Sequence, residues 1–186
     1  MSYLFTSERL GFRNWQDSDL DMFSAMNADA DVMEFFPETL THESSQNLMQ
    51  RLSQHFEEKT YTYFAVDTLD EGVCIGFIGL VYQTYEAPFT PCVDIGWRLT
   101  KQYWGKGYAT EGAKRCLEYA FETLNLAQIY AIATVINLPS IRVMEKIGME
   151  KAGTFIHSEL VDNKRLQDCV YYVIHNKSFT RDLCLP

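Results

Sequence analysis

The stretch RLTKQYWGKGYATEGAKR, Arg98 to Arg115, follows an apolar run and leads into a helical pattern. It places Gly105 and Gly107 on either side of Lys106, and it sets five basic side chains against one acid, Glu111. That is a local balance of +4, five minus one, inside a chain of formal net charge −9. Two glycines allow successive backbone N–H groups to turn inward and approach a ligand closely. A helix opening at Tyr108 adds its positive dipole end and its unpaired N–H donors. The stretch reads as a seat for a pyrophosphate, with Lys106, Lys101 and Arg98 near enough to balance further charge. A tight strand-to-helix turn with solvated cations is the plainer alternative.

Two other phosphate loops fail on spacing. A P-loop needs GxxxxGK followed by Ser or Thr, but Lys106 is followed by Gly107, and Thr100 stands where the first glycine belongs. A dinucleotide loop needs GxGxxG near the first strand, with an acid closing the next one. Here GKGYAT has Thr110 in the third place, lies in mid-chain, and is followed by QIYAIATV, which ends without an acid.

Outward from this loop the pattern alternates between strand and helix periods. ERLGFRNW reads as a strand and DSDLDMFSAM as caps followed by a short helix. Thr41 is placed to cap a second helix, on which Leu48, Leu52 and Phe56 share a face. An apolar loop, VMEFFPETL, lies between these helices. YTYFAVDT, VCIGFIGLVY and PCVDIGWRL read as strands, the last with Gly96 inside it. Helical residues from Tyr108 to Leu124, the strand QIYAIATV, and the short helix NLPSIRVMEKIG follow. Two strands, near 151–160 and 165–174, close the pattern across the turn DNK. The order predicts a mixed α/β sheet with helices on both faces.

The 186 residues read as one domain, 1–186 with a core of about 8–175, long enough to bury about 70% of the unfolded chain's surface. The 47% apolar and 14% aromatic content is that of a globular protein. The longest apolar run, Val73 to Tyr82, is about half a membrane span, and MSYLFTSERL lacks the pattern of a secretion signal. Five scattered cysteines, Cys74, Cys92, Cys116, Cys169 and Cys184, fit a reducing, cytoplasmic setting. The acidic balance argues against a nucleic-acid partner. No metal is expected, because His42, His55, His157 and His175 lack ligand spacing. No GxSxG nucleophile elbow exists, so no acyl-enzyme is expected either.

QYWGKGYATE resembles the acyl-CoA-binding motif Q/R-x-x-G-x-G/A of the GCN5-related N-acetyltransferases, the GNAT family, with Gln102, Gly105 and Gly107 in its defined places. VDIGWRL before it and INLPSIRVMEKIGM after it are similar to that family too. NLPSIRVMEKIG most resembles the branch that acetylates the N-termini of ribosomal proteins. The resemblance implies the GNAT fold, a mostly antiparallel sheet splayed at the CoA site, and acetyl-CoA as co-substrate without a metal. It implies that main-chain groups of Trp97, Arg98 and Leu99 grip the pantetheine arm in the splay. Gln102, Gly105, Lys106, Gly107, Tyr108, Ala109 and Thr110 would surround the diphosphate, and Asn137 would bind the arm. Asp94 stands where relatives often carry a basic glutamate, and burial would have to raise its pKa.

Many relatives also have a tyrosine that protonates the leaving thiolate, and its place here is held by Met144. Ser140 resembles the serine of the N-terminal-acetylating branch; its simpler role would be the helix N-cap. The implied reaction is direct acetyl transfer to a primary amine, the α-amine of a protein or peptide. A small amine such as a polyamine, antibiotic or amino acid is the alternative acceptor, and a non-catalytic acyl-CoA sensor is the alternative class. No membrane partner is implied, and dimers are common among relatives, so a homodimer is among the expectations.

Overall fold

A computed structural model describes residues 2–177. Eight strands form one sheet in the order β1-β2-β3-β4-β5-β6-β8-β7. They are β1 (Phe5–Thr6), β2 (Leu10–Arg13), β3 (Tyr63–Thr68), β4 (Cys74–Gln83), β5 (Cys92–Leu99), β6 (Gln128–Thr134), β7 (Glu150–Ile156) and β8 (Asp168–His175). Helices α1 (Leu20–Ala28) and α2 (His42–Lys59) connect β2 to β3; α3 (Tyr108–Glu118) connects β5 to β6, and α4 (Leu138–Lys146) connects β6 to β7.

Each face of the sheet has its own apolar layer. Phe64, Ile78, Leu80, Ile95 and Leu99 pack with Ala113, Cys116 and Leu117 of α3 and Met144 of α4. On the other face Ala65 and Phe77 pack with Phe23 and Met26 of α1 and Met49 and Leu52 of α2. Strand alternation sends successive side chains of β4 and β5 to opposite layers, which is why these segments read as nearly unbroken apolar runs. Beside the second layer, buried Arg13 joins β2 to β3 and to the turn before α1. It donates to Asp67 (2.8 and 2.8 Å) and to Asp19 (2.6 and 2.8 Å).

The mixed sheet and the four helices agree with the sequence pattern, with three differences. Strand β1 is two residues long, too short to show a period, and is anchored by Phe5 stacking on Phe12 (4.6 Å) and Tyr119 (4.4 Å). The helix predicted to reach Leu124 leaves α-geometry after Glu118 and finishes as a π-turn, Tyr119–Thr123. The last two strands are shorter than predicted, and a 3-10 turn at Ser158–Leu160 joins their connection. Thr41 caps α2 as expected, its Oγ1 accepting from the Ser44 N–H at 3.1 Å. Cys74, Cys92, Cys116 and Cys169 are free thiols; Cys184 lies outside the described residues.

Candidate active site

Every neighbouring pair in the sheet is antiparallel except β5 and β6, which run parallel and meet at one register pair, Asp94 with Tyr130. Beyond that pair the strands part. One side of the resulting wedge is β5 from Gly96 to Leu99, and both strands lead out of it toward helix N-termini, α3 after β5 and α4 after β6. A cleft at the carboxyl ends of parallel strands is where open sheets bind ligands. A cavity of about 650 Å³ occupies it, lined from both faces of the sheet.

The β5 register decides which main-chain groups face the wedge. Thr100 N–H donates to Ile75 C=O at 2.9 Å, and Arg98 and Gly96 pair with Phe77 and Gly79 in the same phase. In an antiparallel ladder alternate residues point their N–H and C=O to the same neighbour. Main-chain groups of Gly96 and Arg98 are therefore turned to β4, and those of Trp97 and Leu99 to the gap. Leu99 C=O accepts from the Trp104 indole N–H at 2.7 Å. Of the three residues expected to grip an arm by their backbone, Trp97 and Leu99 are oriented for it. Arg98 instead offers the cavity its side chain.

Gly105 and Gly107 have φ of +72° and +85°, left-handed conformations that L side chains resist. They turn the chain into α3, whose N-cap is Gly107 itself and carries no capping side chain. The first helical bond is Glu111 N–H to Gly107 C=O at 3.0 Å, so the amides of Tyr108, Ala109 and Thr110 lack helical partners. All three residues line the cavity, with Gly105 and Gly107. The turn is braced from behind. Arg9 Nε donates to Glu111 at 2.6 Å, its Nη1 reaches Lys106 C=O at 3.2 Å, and its guanidinium lies 4.4 Å over the Tyr108 ring. Glu111, the one acid of the basic stretch, is thus a structural anchor.

The basic stretch disperses in three dimensions. Lys101 pairs with Asp31, Arg115 donates to Thr6 C=O at 2.8 Å, and the Lys106 ammonium lies 5.0 Å over the Tyr103 ring. Exposed Gln102, in a 3-10 turn at Lys101–Tyr103, and exposed Lys106 are absent from the cavity lining. Sequence reasoning missed two cations that do line it, Arg142 and Lys146 on α4. Their four-residue spacing puts them on one helix face, and they lie beyond the basic stretch that ends at Arg115.

On the α1/α2 side of β5, Asp94 is buried, 7% exposed. Its carboxylate accepts from the Tyr63 hydroxyl at 2.8 Å and from Gln83 Nε2 at 3.1 Å. Burial pushes its pKa up to about 7, against the opposing effect of those donors. The condition that the sequence sets for a basic aspartate is therefore met. Gly96 has a physical reason of its own. The β4–β5 register runs through it without a bulge, and a Cβ there would sit 2.9 Å from the Tyr63 ring. The glycine makes room for the aromatic that holds Asp94.

Across the wedge, the Asn137 side chain caps α4 by accepting from the Ser140 N–H at 3.1 Å. This corrects the simple role considered for Ser140. Asn137 is the cap, and Ser140 is the third residue of the helix with its hydroxyl free to serve the cavity it lines. Met144, 1% exposed, completes this wall. Phe35 and Phe36, from the apolar loop between α1 and α2, line the cavity. Tyr82 and Tyr85 do not; Tyr85 stacks on His157 at 4.5 Å. Among the described residues no cluster of His, Cys, Asp or Glu forms a metal site, and no helix is long and apolar enough to cross a membrane.

Residues 9–150 match the family model described as an acetyltransferase (GNAT) domain. The chain is 36% identical over 151 residues to the uncharacterized N-acetyltransferase YnaD of Bacillus subtilis, covering 81% of this chain and 84% of that one. It superposes on a GNAT-family acetyltransferase from Bacillus anthracis with a TM-score of 0.77 at 30% identity, covering 92% and 98% of the two chains. A spermidine N-acetyltransferase from Vibrio cholerae, solved with CoA and spermine, has the same fold, with a TM-score of 0.73 at 22% identity and coverage of 92% and 98%.

Proposed function

The chain belongs to the GNAT acetyltransferase family, whose members use acetyl-CoA, and from that premise we propose that it acetylates the α-amine of a peptide or protein N-terminus. It would do so as a single domain, by direct transfer between two substrates bound together. The observation that carries this reading is Asp94, a buried carboxylate with a pKa near 7 at the point where β5 and β6 part.

The unpartnered amides of Tyr108, Ala109 and Thr110 suit a diphosphate, since they supply donors and the positive end of the α3 dipole. Gly105 and Gly107 keep side chains away from it. Trp97 and Leu99 would pair with the pantetheine arm, and the Trp97 N–H is the strand donor available to an oxyanion on the acetyl carbon. Ser140 would protonate the departing thiolate, directly or through water. A thiol pKa of about 8.5 makes that a light demand, which is compatible with Met144 in place of an acid. The Asn137 amide retains its N–H₂ group for the arm while its oxygen caps α4.

The acceptor's chemistry follows from Asp94. An α-ammonium group, with a pKa of about 8, can lose its proton through water to a base of pKa near 7. An alkylammonium at about 10.4 is a poorer match. A polycation would also call for unpaired acids, yet Asp31 is paired with Lys101 and Glu34 with Arg165. These features favour the N-terminal branch over a polyamine acceptor, and catalysis over a sensor. The test is acetylation of a mixed library of N-terminal peptides and small amines, read by mass spectrometry. Acetylation of peptide α-amines is expected. Exclusive acetylation of polyamines would refute the acceptor, and CoA binding with no acetylation would refute the enzyme.

A further inference from the structure

The acceptor side of the cavity holds a cation that the transfer reaction does not use. Arg98 projects from β5 onto the face that also carries Asp94 and Gly96. Its guanidinium lies 4.0 Å from the centre of the Phe36 ring and 5.3 Å from that of Phe77. Nη1 donates to Asn27 Oδ1 at 2.6 Å. Asn27 is itself fully buried and donates to Ser45 Oγ at 3.2 Å, so α1 and α2 together fix the arginine's direction. Nε is closed off from solvent and has no partner.

Among the described residues no carboxylate pairs with this charge. The acids that line the same cavity are committed elsewhere: Asp31 to Lys101, Glu34 to Arg165, and Asp94 to Tyr63 and Gln83. Elsewhere in the fold the buried arginine Arg13 has two aspartates. Burial pushes the Arg98 guanidinium down to about 10, the response of a cation without a counter-ion. Stacking on aromatic rings and one amide oxygen offset part of that cost without neutralising the charge. With Nε closed off and one Nη1 proton held by Asn27, the guanidinium keeps the Nη2 protons and the second Nη1 proton, the end-on pair that can bind a carboxylate with two parallel hydrogen bonds.

We propose that Arg98 selects an acceptor that carries a carboxylate close to the amine to be acetylated. This inference rests on the reading of the chain as an amine acetyltransferase and names the acceptor's second group. Asp94 and Arg98 lie four residues apart on one strand, about 13 Å between Cα atoms; both line the cavity, with the Tyr63 ring over Gly96 between them. Two sources share the required chemistry: an aspartate or glutamate at the first or second position of a peptide, and the α-carboxylate of a free amino acid. Arg98 is here a specificity residue, and Asn27 positions it.

The experiment measures kcat and KM on the full chain with acetyl-CoA and matched acceptors. One arm compares peptides beginning with Asp or Glu, at position one or two, with their Asn or Gln counterparts. A second compares free amino acids with their amides, and a third uses polyamines. The carboxylate member of a pair is expected to be preferred at least tenfold in kcat/KM, chiefly through KM, and the arm in which this occurs identifies the source. Arg98→Met should erase the preference and Arg98→Lys retain part of it, with CoA affinity by calorimetry unchanged in both. Equal use of carboxylates and amides by the unaltered protein overturns the proposal whether or not the variants fold. So does a preference surviving in a CoA-binding Arg98→Met. Amides acetylated in place of carboxylates defeat this inference alone; polyamines acetylated in their place defeat the α-amine acceptor as well, and acetylation of no amine by a CoA-binding protein defeats the transferase reading with it.

Discussion

Asp94 combines two roles that pull in opposite directions. A carboxylate that must be basic near neutral pH has to be buried, and burial makes its charged form costly. Its folded pKa of about 7 lies above the unfolded value of about 3.9. Stability linked to this group is therefore fully present below about pH 4 and is lost as pH rises through 7. Asp94→Asn is expected to raise Tm by several degrees at pH 8.5 and to have no such effect at pH 4. The same variant should lose 10²- to 10⁴-fold in kcat/KM and the acidic limb of the rate profile near pH 7. A stability difference that does not vary with pH would rule out a titrating Asp94. Ser140 makes a milder prediction, because its helix is capped by Asn137. Ser140→Ala should lower kcat about tenfold, less than the usual 10²- to 10⁴-fold for a general acid because the thiolate is a good leaving group, with Tm and CoA affinity held. Unchanged kcat would remove the hydroxyl from the reaction.

At the scale of elements, the loop into α3 works through its backbone. Gly107 holds φ +85°, and a Cβ there would meet nothing closer than the Arg9 guanidinium at 3.6 Å. Space is not the difficulty. Gly107→Val would force a branched residue into a left-handed conformation, at about 1–3 kcal/mol. The loop is expected to relieve that strain by turning its amides out of the cavity. CoA affinity should fall at least tenfold in calorimetry while the far-UV circular dichroism stays native. CoA at a hundred times its Kd should stabilise the unaltered protein by about 2.7 kcal/mol, and the variant should show little of this shift. Normal affinity in the variant would sink the loop assignment.

For the whole molecule, the vulnerable place is the join between the α1/α2 layer and the sheet. Arg13 sits between Asp19 and Asp67, and Asp67 is fully buried. Removing one partner of a buried ionic group leaves an uncompensated charge, so Arg13→Met should cost about 3–5 kcal/mol. Urea unfolding should record it as a lower midpoint at an unchanged slope. Because α1 carries Asn27 and precedes the Phe36 loop, the variant should also weaken acceptor binding before it weakens CoA binding. A stable variant with normal acceptor KM would show that this join does not support the site.

Local chemistry made much of this architecture readable from residues alone. Left-handed glycines at 105 and 107, the Thr41 cap, the apolar faces of α2 and α3, and the strand runs of β4 and β5 depend on neighbours a few positions away. Each therefore left a period or a punctuation mark in the chain. The aspartate of VDIGWRL could be named as a candidate base, but its burial could not be known. It depends on Tyr63 and Gln83 arriving from two other strands, with Gly96 clearing room for the ring. Distance along the chain likewise concealed that Lys101 turns away to Asp31 while Arg142 and Lys146 turn in. Arg98 was singled out as part of a basic stretch, yet strand alternation separates its backbone from its side chain. Only the packing of Phe36, Phe77 and Asn27 around that side chain leaves a half-buried positive charge lining the cavity with no carboxylate paired to it among the described residues.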